Sequence, residues 1–113
     1  MRLETARKFA LSLPETTEEP HFEKSSFRVK GKVFATVPVG EKHLHVNVEA
    51  DEGQALAAEL PEAFEPIVWG KQTKTDWIRV TLAKADRAIV QELLEDAWRR
   101  NAPRRVLDAY DAG

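Results

Sequence analysis

Residues 13–39 read LPETTEEPHFEKSSFRVKGKVFATVPV, and this stretch decides the fold. Pro14 ends an amphipathic helix, because proline has no backbone N–H to donate and clashes with the preceding turn. A polar, acidic segment then leads to Phe22. Two runs rich in strand-forming residues flank Lys30-Gly31-Lys32, where glycine supplies the positive φ that tight hairpin turns favour. The stretch therefore predicts a helix exit, an acidic loop and a β-hairpin with a basic tip.

Around this hairpin the chain is predicted to alternate between helices and strands. Apolar residues at three- and four-residue spacing indicate an opening helix over residues 2–13 and a longer helix over residues 85–100. The remaining predicted elements are strands over residues 24–30, 32–38, 43–49, 67–69 and 77–82, a helix from Asp51 to Leu60 with an Asp51/Gln54 capping box, and a terminal helix from Pro103 to Tyr110. The order α-β-β-β-α-β-β-α predicts an α+β fold, with helices on one face of a twisted antiparallel sheet of about five strands.

Strand alternation separates the side chains of this sheet into two faces. The apolar face, which is predicted to form the core, carries Phe27, Val29, Val33, Ala35, Val37, Leu44, Val46, Val48, Ile78, Val80 and Leu82. Trp98 lies on the apolar stripe of the long helix and is expected in the same core. The opposite face is predicted to carry Ser26, Arg28, Lys30, Phe34, Thr36, His43, His45, Asn47, Trp77, Arg79 and Thr81.

The composition is that of one globular domain spanning residues 1–113. Hydrophobic residues make up 42% of the chain and charged residues 32%, and no apolar run approaches the ~20 residues of a membrane span. The absence of Cys excludes disulfides and thiolate chemistry, and the N-terminus lacks the pattern of a secretory signal. We therefore expect a monomeric, cytoplasmic protein that does not associate with membranes.

The distribution of charge matters more than its sum. A net charge of −2 argues against a surface that is basic throughout, as dedicated nucleic-acid domains tend to be. Yet residues 24–42 contain five Lys or Arg residues and one acidic residue, Glu41. Residues 24–42 therefore form a positively charged segment in a chain whose net charge is negative.

The order of several short motifs resembles the MmcQ/YjbR family of small bacterial domains. These motifs are Leu-Pro at 13–14, Pro-His-Phe at 20–22, Ser-Phe-Arg-Val at 26–29, Gly-Lys-Val-Phe-Ala-Thr at 31–36, Pro-Glu-Ala-Phe at 61–64, Trp-Gly at 69–70, Trp-Ile-Arg-Val at 77–80, Asp-Ala-Trp-Arg at 96–99 and Ala-Pro at 102–103. The resemblance covers nearly the whole chain. It departs from the family pattern at Glu23, where Gly is common, and in the extra polar residues 71–75. It implies a CyaY-like, frataxin-like sandwich and a double-wing DNA-binding surface, in which two hairpin tips approach DNA.

Cations and aromatic side chains together supply the candidate nucleic-acid site. The candidate residues are Arg28, Lys30, Lys32, Lys71, Lys74, Trp77 and Arg79, with Phe34, His43 and His45 as further sheet-face candidates. Lysines on the tips would contact phosphates, and aromatic rings on an open sheet would stack on the bases of a single strand. The alternative is structural: Phe34 and Trp77 are covered by residues 69–75 or by the C-terminal helix.

No constellation in the sequence predicts catalysis, a metal or a cofactor. His43 and His45 provide two ligands on one strand face, but no third donor is fixed near them. His21 has the residue type for acid–base work, although a structural role in its loop is favoured. The acidic segment Glu15–Glu23 is similar to the carboxylate ridge of frataxin-like proteins, but a solvated loop is favoured there.

These observations predict a non-enzymatic binding domain that binds DNA weakly through basic hairpin tips and an open sheet face. Two alternatives stay open. One is a protein-interaction adaptor that uses the same sheet face, and the other is a weak binder of a metal or small ligand.

Overall fold

The computed structural model describes residues 1–22, 24–71 and 75–113 of the chain. In chain order the elements are α1 (Leu3–Ser12), β1 (Thr16–His21), β2 (Lys24–Val29), β3 (Lys32–Val37), β4 (His43–Asn47), α2 (Ala50–Glu59), β5 (Phe64–Pro66), β6 (Trp77–Thr81), α3 (Arg87–Asn101) and α4 (Arg104–Ala112). Among the described residues, no helix combines the length and the apolar content that crossing a bilayer requires.

The six strands form one antiparallel sheet in the order β1-β2-β3-β4-β6-β5. Helix α3 packs across β3 and β4, α1 packs against α3 and β1, and α2 packs against β5 and β6. The helices leave the other face of the sheet open. The predicted α+β class and the order of its elements are confirmed.

The core lies between the sheet and the helices, and Trp98 of α3 is at its centre. The Trp98 side chain is fully buried, as predicted. Its Nε1–H donates to the carbonyl oxygen of Pro14 at 3.0 Å, and its ring meets Tyr110 of α4 edge-on, with 4.9 Å between centroids. One side chain therefore joins α3, α4 and the exit of α1.

Residues 14–22 differ from the predicted acidic loop, because residues 16–21 form the edge strand β1. The strand lacks apolar alternation, because its side chain facing the helices is the carboxylate of Glu18, which binds polar groups. Glu18 accepts a hydrogen bond from Arg7 Nε of α1 at 2.9 Å and another from Ser25 Oγ of β2 at 2.7 Å. An ion pair between helix and strand replaces the apolar contact that sequence patterns detect.

The fifth strand also begins earlier than predicted. It comprises Phe64–Pro66, not residues 67–69. Phe64 is buried, and Pro66 is tolerated because β5 is an edge strand, where proline's missing N–H need not join the ladder. Ile67 N–H still donates to the carbonyl of Trp77 at 3.0 Å, so the segment leaves the sheet gradually.

A β-bulge in β3 reverses the predicted positions of Val33 and Phe34. The register shifts so that Phe27 lies opposite Ala35 whereas Arg28 lies opposite Val33. Phe34 is the extra residue, and an inserted residue inverts the alternation from that point. Phe34 is 0% exposed in the core, so its prediction as a sheet-face residue is wrong. Val33 moves to the open face instead.

The start of α2 lies one residue earlier than predicted, and its cap differs. Glu49 is the N-cap residue, and its side chain accepts a hydrogen bond from the N–H of Glu52 at 3.0 Å. The expected cap residue, Asp51, lies inside the first helical turn. Carboxylates there still interact favourably with the positive end of the helix dipole.

The antiparallel register brings two connections to the same end of the sheet, which we call the wing end. One is the β2–β3 turn, with φ of 49° at Lys30 and 83° at Gly31. The other is the connection between β5 and β6, described at residues 67–71 and 75–76, because Trp77 lies opposite Asn47 at the end of β4. The β1–β2 and β3–β4 turns lie at the opposite end.

Candidate ligand-binding site on the open sheet face

A row of polar side chains crosses the open face of the sheet. Each strand contributes one residue, and each lies opposite the next in the antiparallel register. In sheet order the row is Glu19, Ser26, Thr36, His45, Arg79 and Glu65. Directly opposed side chains on one face of a sheet are close enough to interact, so the row can form hydrogen bonds across several strands.

Arg79 links the middle of this row to its β5 end. Its Nε donates to His45 Nε2 at 3.3 Å, and its Nη1 donates to Glu65 Oε1 at 2.7 Å. Burial, together with the positive charge of Arg79, lowers the pKa of His45 to about 4. The imidazole is therefore neutral at pH 7. The structure therefore brings together two of the predicted site residues, His45 and Arg79. Because His45 is neutral and Glu65 offsets the charge of Arg79, the pair offers a ligand less positive charge than a histidine and an arginine would suggest.

Arg28 is held on the open face by neutral partners. Its Nε donates to Ser26 Oγ at 3.0 Å, and its Nη2 donates to the carbonyl of Pro20 at 3.3 Å and lies 3.4 Å from His21 Nδ1. Ser26 Oγ in turn donates to the carbonyl of Glu19 at 2.8 Å. Across residues 1–22, 24–71 and 75–113, no carboxylate forms an ion pair with Arg28. The guanidinium is thus oriented, and no described carboxylate offsets its charge in an ion pair.

A cleft of about 200 Å³ opens on this face. The described residues that line it are His21, Lys24, Val33, Thr36, His45, Ile67, Trp69 and Trp77. Trp69 is 55% exposed, and Trp77 is half-buried. Lys24 forms no ion pair within the described part of the chain. Indole faces beside an ammonium group can hold a flat ring together with a neighbouring negative charge.

The first predicted basic tip, residues 30–32, and Lys71 of the second lie at the wing end, but their charges are unequal. Lys30 Nζ lies 2.5 Å from Glu15 Oε1, so this carboxylate offsets its charge. Lys32 and Lys71 are exposed and form no ion pair with other described residues. Lys74 lies outside the described residues. Only part of the predicted tip charge is therefore free for a ligand.

The carboxylates of the acidic segment serve mainly as structural links. Glu15 pairs with Lys30 and, at 3.4 Å, with Arg105 of α4. The hydrogen bond from Lys30 and the nearby Arg105 charge hold the pKa of Glu15 below its usual value. Glu18 pairs with Arg7. The expected solvated loop is instead a strand tied to two helices, and its last residue, Glu23, lies outside the described residues.

The remaining predicted histidine, His43, lies away from the cleft lining. It is half-buried and lies opposite Thr81, toward the end of the sheet away from the wings. Among the described residues, no group of three or more His, Cys, Asp or Glu side chains has an arrangement that could hold a metal ion.

Sequence reasoning missed four side chains of the cleft: Lys24, Val33, Ile67 and Trp69. Ile67 and Trp69 were predicted within a strand, whereas they follow β5 and line the cleft. Val33 joins them because of the bulge in β3. A tryptophan directly before Gly70 in a polar segment was the available signal, because a large exposed aromatic residue commonly marks a contact surface.

The fold and this site define a small α+β domain with an open, polar sheet face that carries an aromatic cleft. The YjbR family model matches residues 11–100, and the chain belongs to the YjbR family. A similar solved structure is the crystal structure of the Deinococcus radiodurans protein DR2400, described as having a DUF419 domain. It has a TM-score of 0.72 and 21% sequence identity, and the match covers 86% of this chain and 75% of that chain. At this identity the likeness shows the fold alone. No curated protein matches the chain.

Proposed function

We propose that this chain is a non-enzymatic binding domain that holds single-stranded DNA on its open sheet face, with the hairpin tips as secondary phosphate contacts. The observation that carries the proposal is the cleft in which Trp69 and Trp77 lie beside Lys24, with the oriented Arg28 on the same face. In this arrangement a base stacks on an indole ring while its phosphate meets a cation.

The shape of the site favours a single strand over a duplex. A cleft of about 200 Å³ is large enough for one base-sized ring. Such a ring is accessible only when it is unstacked, because a duplex encloses the faces of its bases. Flat sheet faces with exposed aromatic residues are a recurrent platform for single strands.

The charge distribution supports weak, salt-sensitive binding. Glu65 and Glu15 offset two of the predicted cations, Arg79 and Lys30. This leaves few free contacts in a chain of net charge −2. We expect a dissociation constant of about 10⁻⁴–10⁻⁶ M at physiological salt, the range of non-specific binding.

The chemistry of the cleft supports a role without catalysis. General acid–base catalysis works best with a group that titrates near the working pH. His45 instead has a pKa of about 4 and is engaged by Arg79. Among the described side chains that line the cleft, none is a carboxylate.

The test is a fluorescence and amide-shift titration with a short oligothymidine and with duplex DNA at low salt. Binding of the single strand should quench tryptophan emission and shift the amides of the cleft. Replacing Trp69 with Ala should weaken single-strand binding by about 1–3 kcal/mol, as the loss of one stacked base does. Lys24→Ala should flatten the salt slope by roughly one unit.

The matched control is Val68→Ala, because Val68 is exposed beside Trp69 but does not line the cleft. This variant should bind like the unmodified chain. If millimolar oligonucleotide at low salt perturbs neither the cleft nor the wing end, the nucleic-acid proposal fails.

The second candidate function is a protein-interaction adaptor. It is favoured by two exposed apolar residues at the end of the sheet away from the wings, Phe22 at 91% and Val39 at 74% exposure. Salt separates the two candidates. Phosphate contacts should weaken strongly between ~50 and ~200 mM salt, whereas a contact anchored by apolar side chains should persist.

A further inference from the structure

A second concave surface lies on the helical layer, away from the open sheet face. It is a groove of about 340 Å³ between α2 and α3. Its apolar lining comes from Ala55 and Leu56 of α2 and from Ile89 and Leu93 of α3. Leu56 and Ile89 are only partly buried, so the groove presents apolar surface that the core does not cover.

The described charged residues that line this groove all carry negative charge. They are Glu52 and Glu59 from α2, and Glu92 and Asp96 from α3. Among the described residues, neither lysine nor arginine lines the groove. Within the described part of the chain, none of these four carboxylates forms an ion pair.

This concentration of negative charge is unfavourable in the free protein. Glu92 and Asp96 are four residues apart on one helix, a spacing at which like charges destabilise. Burial and the neighbouring Glu92 and Glu95 raise the pKa of Asp96. Arg100 stands four residues after Asp96, yet the two form no ion pair among the described residues. A cationic ligand would relieve this repulsion.

We propose that the α2–α3 groove is a docking site for a cationic amphipathic helix of a partner protein. The apolar stripe of such a helix would cover Leu56 and Ile89, and Lys or Arg residues on its flanks would meet the four carboxylates. Complementary charge selects the partner and steers its approach, and a helix laid in an apolar groove is an established mode of recognition. An anionic nucleic acid is repelled here, so this site is independent of the function proposed for the sheet face.

The probe is a fluorescein-labelled peptide of about 16 residues, long enough to form a helix, with leucines at helical spacing and lysines elsewhere. Fluorescence anisotropy should show saturable binding to the full chain. A peptide with Glu in place of every Lys should not bind. A scrambled peptide of the same composition, which lacks the apolar stripe, should bind at least several-fold more weakly.

Two sets of variants place the peptide in the groove. Ala55→Trp fills it and should weaken binding by about tenfold or more, because the centre of an interface holds its best-packed contacts. Ala58→Trp, at an exposed position outside the lining, should have little effect. The double variant Glu92→Gln/Asp96→Asn should weaken binding roughly two- to five-fold per carboxylate. The double variant Glu41→Gln/Glu62→Gln changes the net charge equally and should not.

The outcomes that would overturn the proposal are distinct. Equal binding of the Lys and Glu peptides, or equal effects of Ala55→Trp and Ala58→Trp, would remove the groove as the site. If sedimentation shows that the chain self-associates and that Ala55→Trp abolishes this association, the occupant is a second copy of the chain and not a partner helix. Circular dichroism of each variant checks that the fold is intact.

Discussion

Phe34→Ala offers the sharpest test of the β3 bulge, because the two possible registers put this ring in opposite environments. The side chain is 0% exposed. A buried aromatic side chain removes about 150–250 Å² from water, and about 25 cal/mol per Å² makes this worth about 4–6 kcal/mol. Measured Phe→Ala substitutions in cores cost about 3–5 kcal/mol. We expect a loss of about 4 kcal/mol, a large part of the about 5–15 kcal/mol stability of a typical domain.

Urea unfolding followed by tryptophan fluorescence measures this loss. With a typical slope of about 2 kcal/mol per M, the midpoint should fall by about 2 M. Phe22→Ala is the control: Phe22 is 91% exposed, and its replacement should change stability by less than about 0.5 kcal/mol. If Phe34→Ala does not fold, Phe34→Leu should still cost about 1 kcal/mol or more. A loss below about 1 kcal/mol in Phe34→Ala, with an unchanged slope, would refute the bulge and return Phe34 to the open face.

Three further predictions concern named side chains. His45 should titrate in NMR with a pKa of about 4, and Arg79→Gln should raise that pKa. Because folding lowers the pKa of His45 below its unfolded value of about 6.5, its contribution to the free energy of unfolding should be complete above about pH 6.5 and decline as the pH falls toward 4. A titration near pH 6.5 would contradict the buried environment. Trp98→Phe should cost about 2 kcal/mol in urea unfolding, since it removes part of a fully buried side chain and its hydrogen bond to the carbonyl of Pro14, and a cost below about 0.5 kcal/mol would argue against this hydrogen bond. Micromolar zinc should leave the imidazole resonances of His43 and His45 in place, and tight calorimetric binding that disappears in His43→Ala would overturn this expectation.

Most of the core could be predicted because the residues that are buried in the structure are those whose apolar side chains recur with helix or strand periodicity in the sequence. Helices α1 and α3 repeat their apolar residues at helical spacing, and β2, β4 and β6 alternate cleanly, so each pattern specifies one face. Errors occurred where a residue's environment comes from elsewhere in the chain. Thr16–His21 forms a strand because Glu18 pairs with Arg7 on α1. The local sequence pattern around Glu18 does not indicate that partner.

The candidate site was only partly predictable for the same reason. Arg28, Trp77 and Arg79 could be assigned to one face by counting along single strands. The side chains that turn this face into a cleft, Trp69 and Ile67, reach it only because the segment after β5 lies beside β6. Their contribution depends on the path of that segment, which local sequence does not specify.

The sequence by itself determined the α+β class, the order of the elements, the buried Trp98 and the family. These properties follow from local periodicity and from motifs that are read residue by residue. Tertiary structure alone decided three things: the bulge that buries Phe34, the lowered pKa of His45 together with the ion pair that offsets the charge of Arg79, and the two concave surfaces. Each depends on pairing or packing between segments distant in the chain. Hydrogen-bond register, burial and electrostatic neighbours arise only when those segments meet.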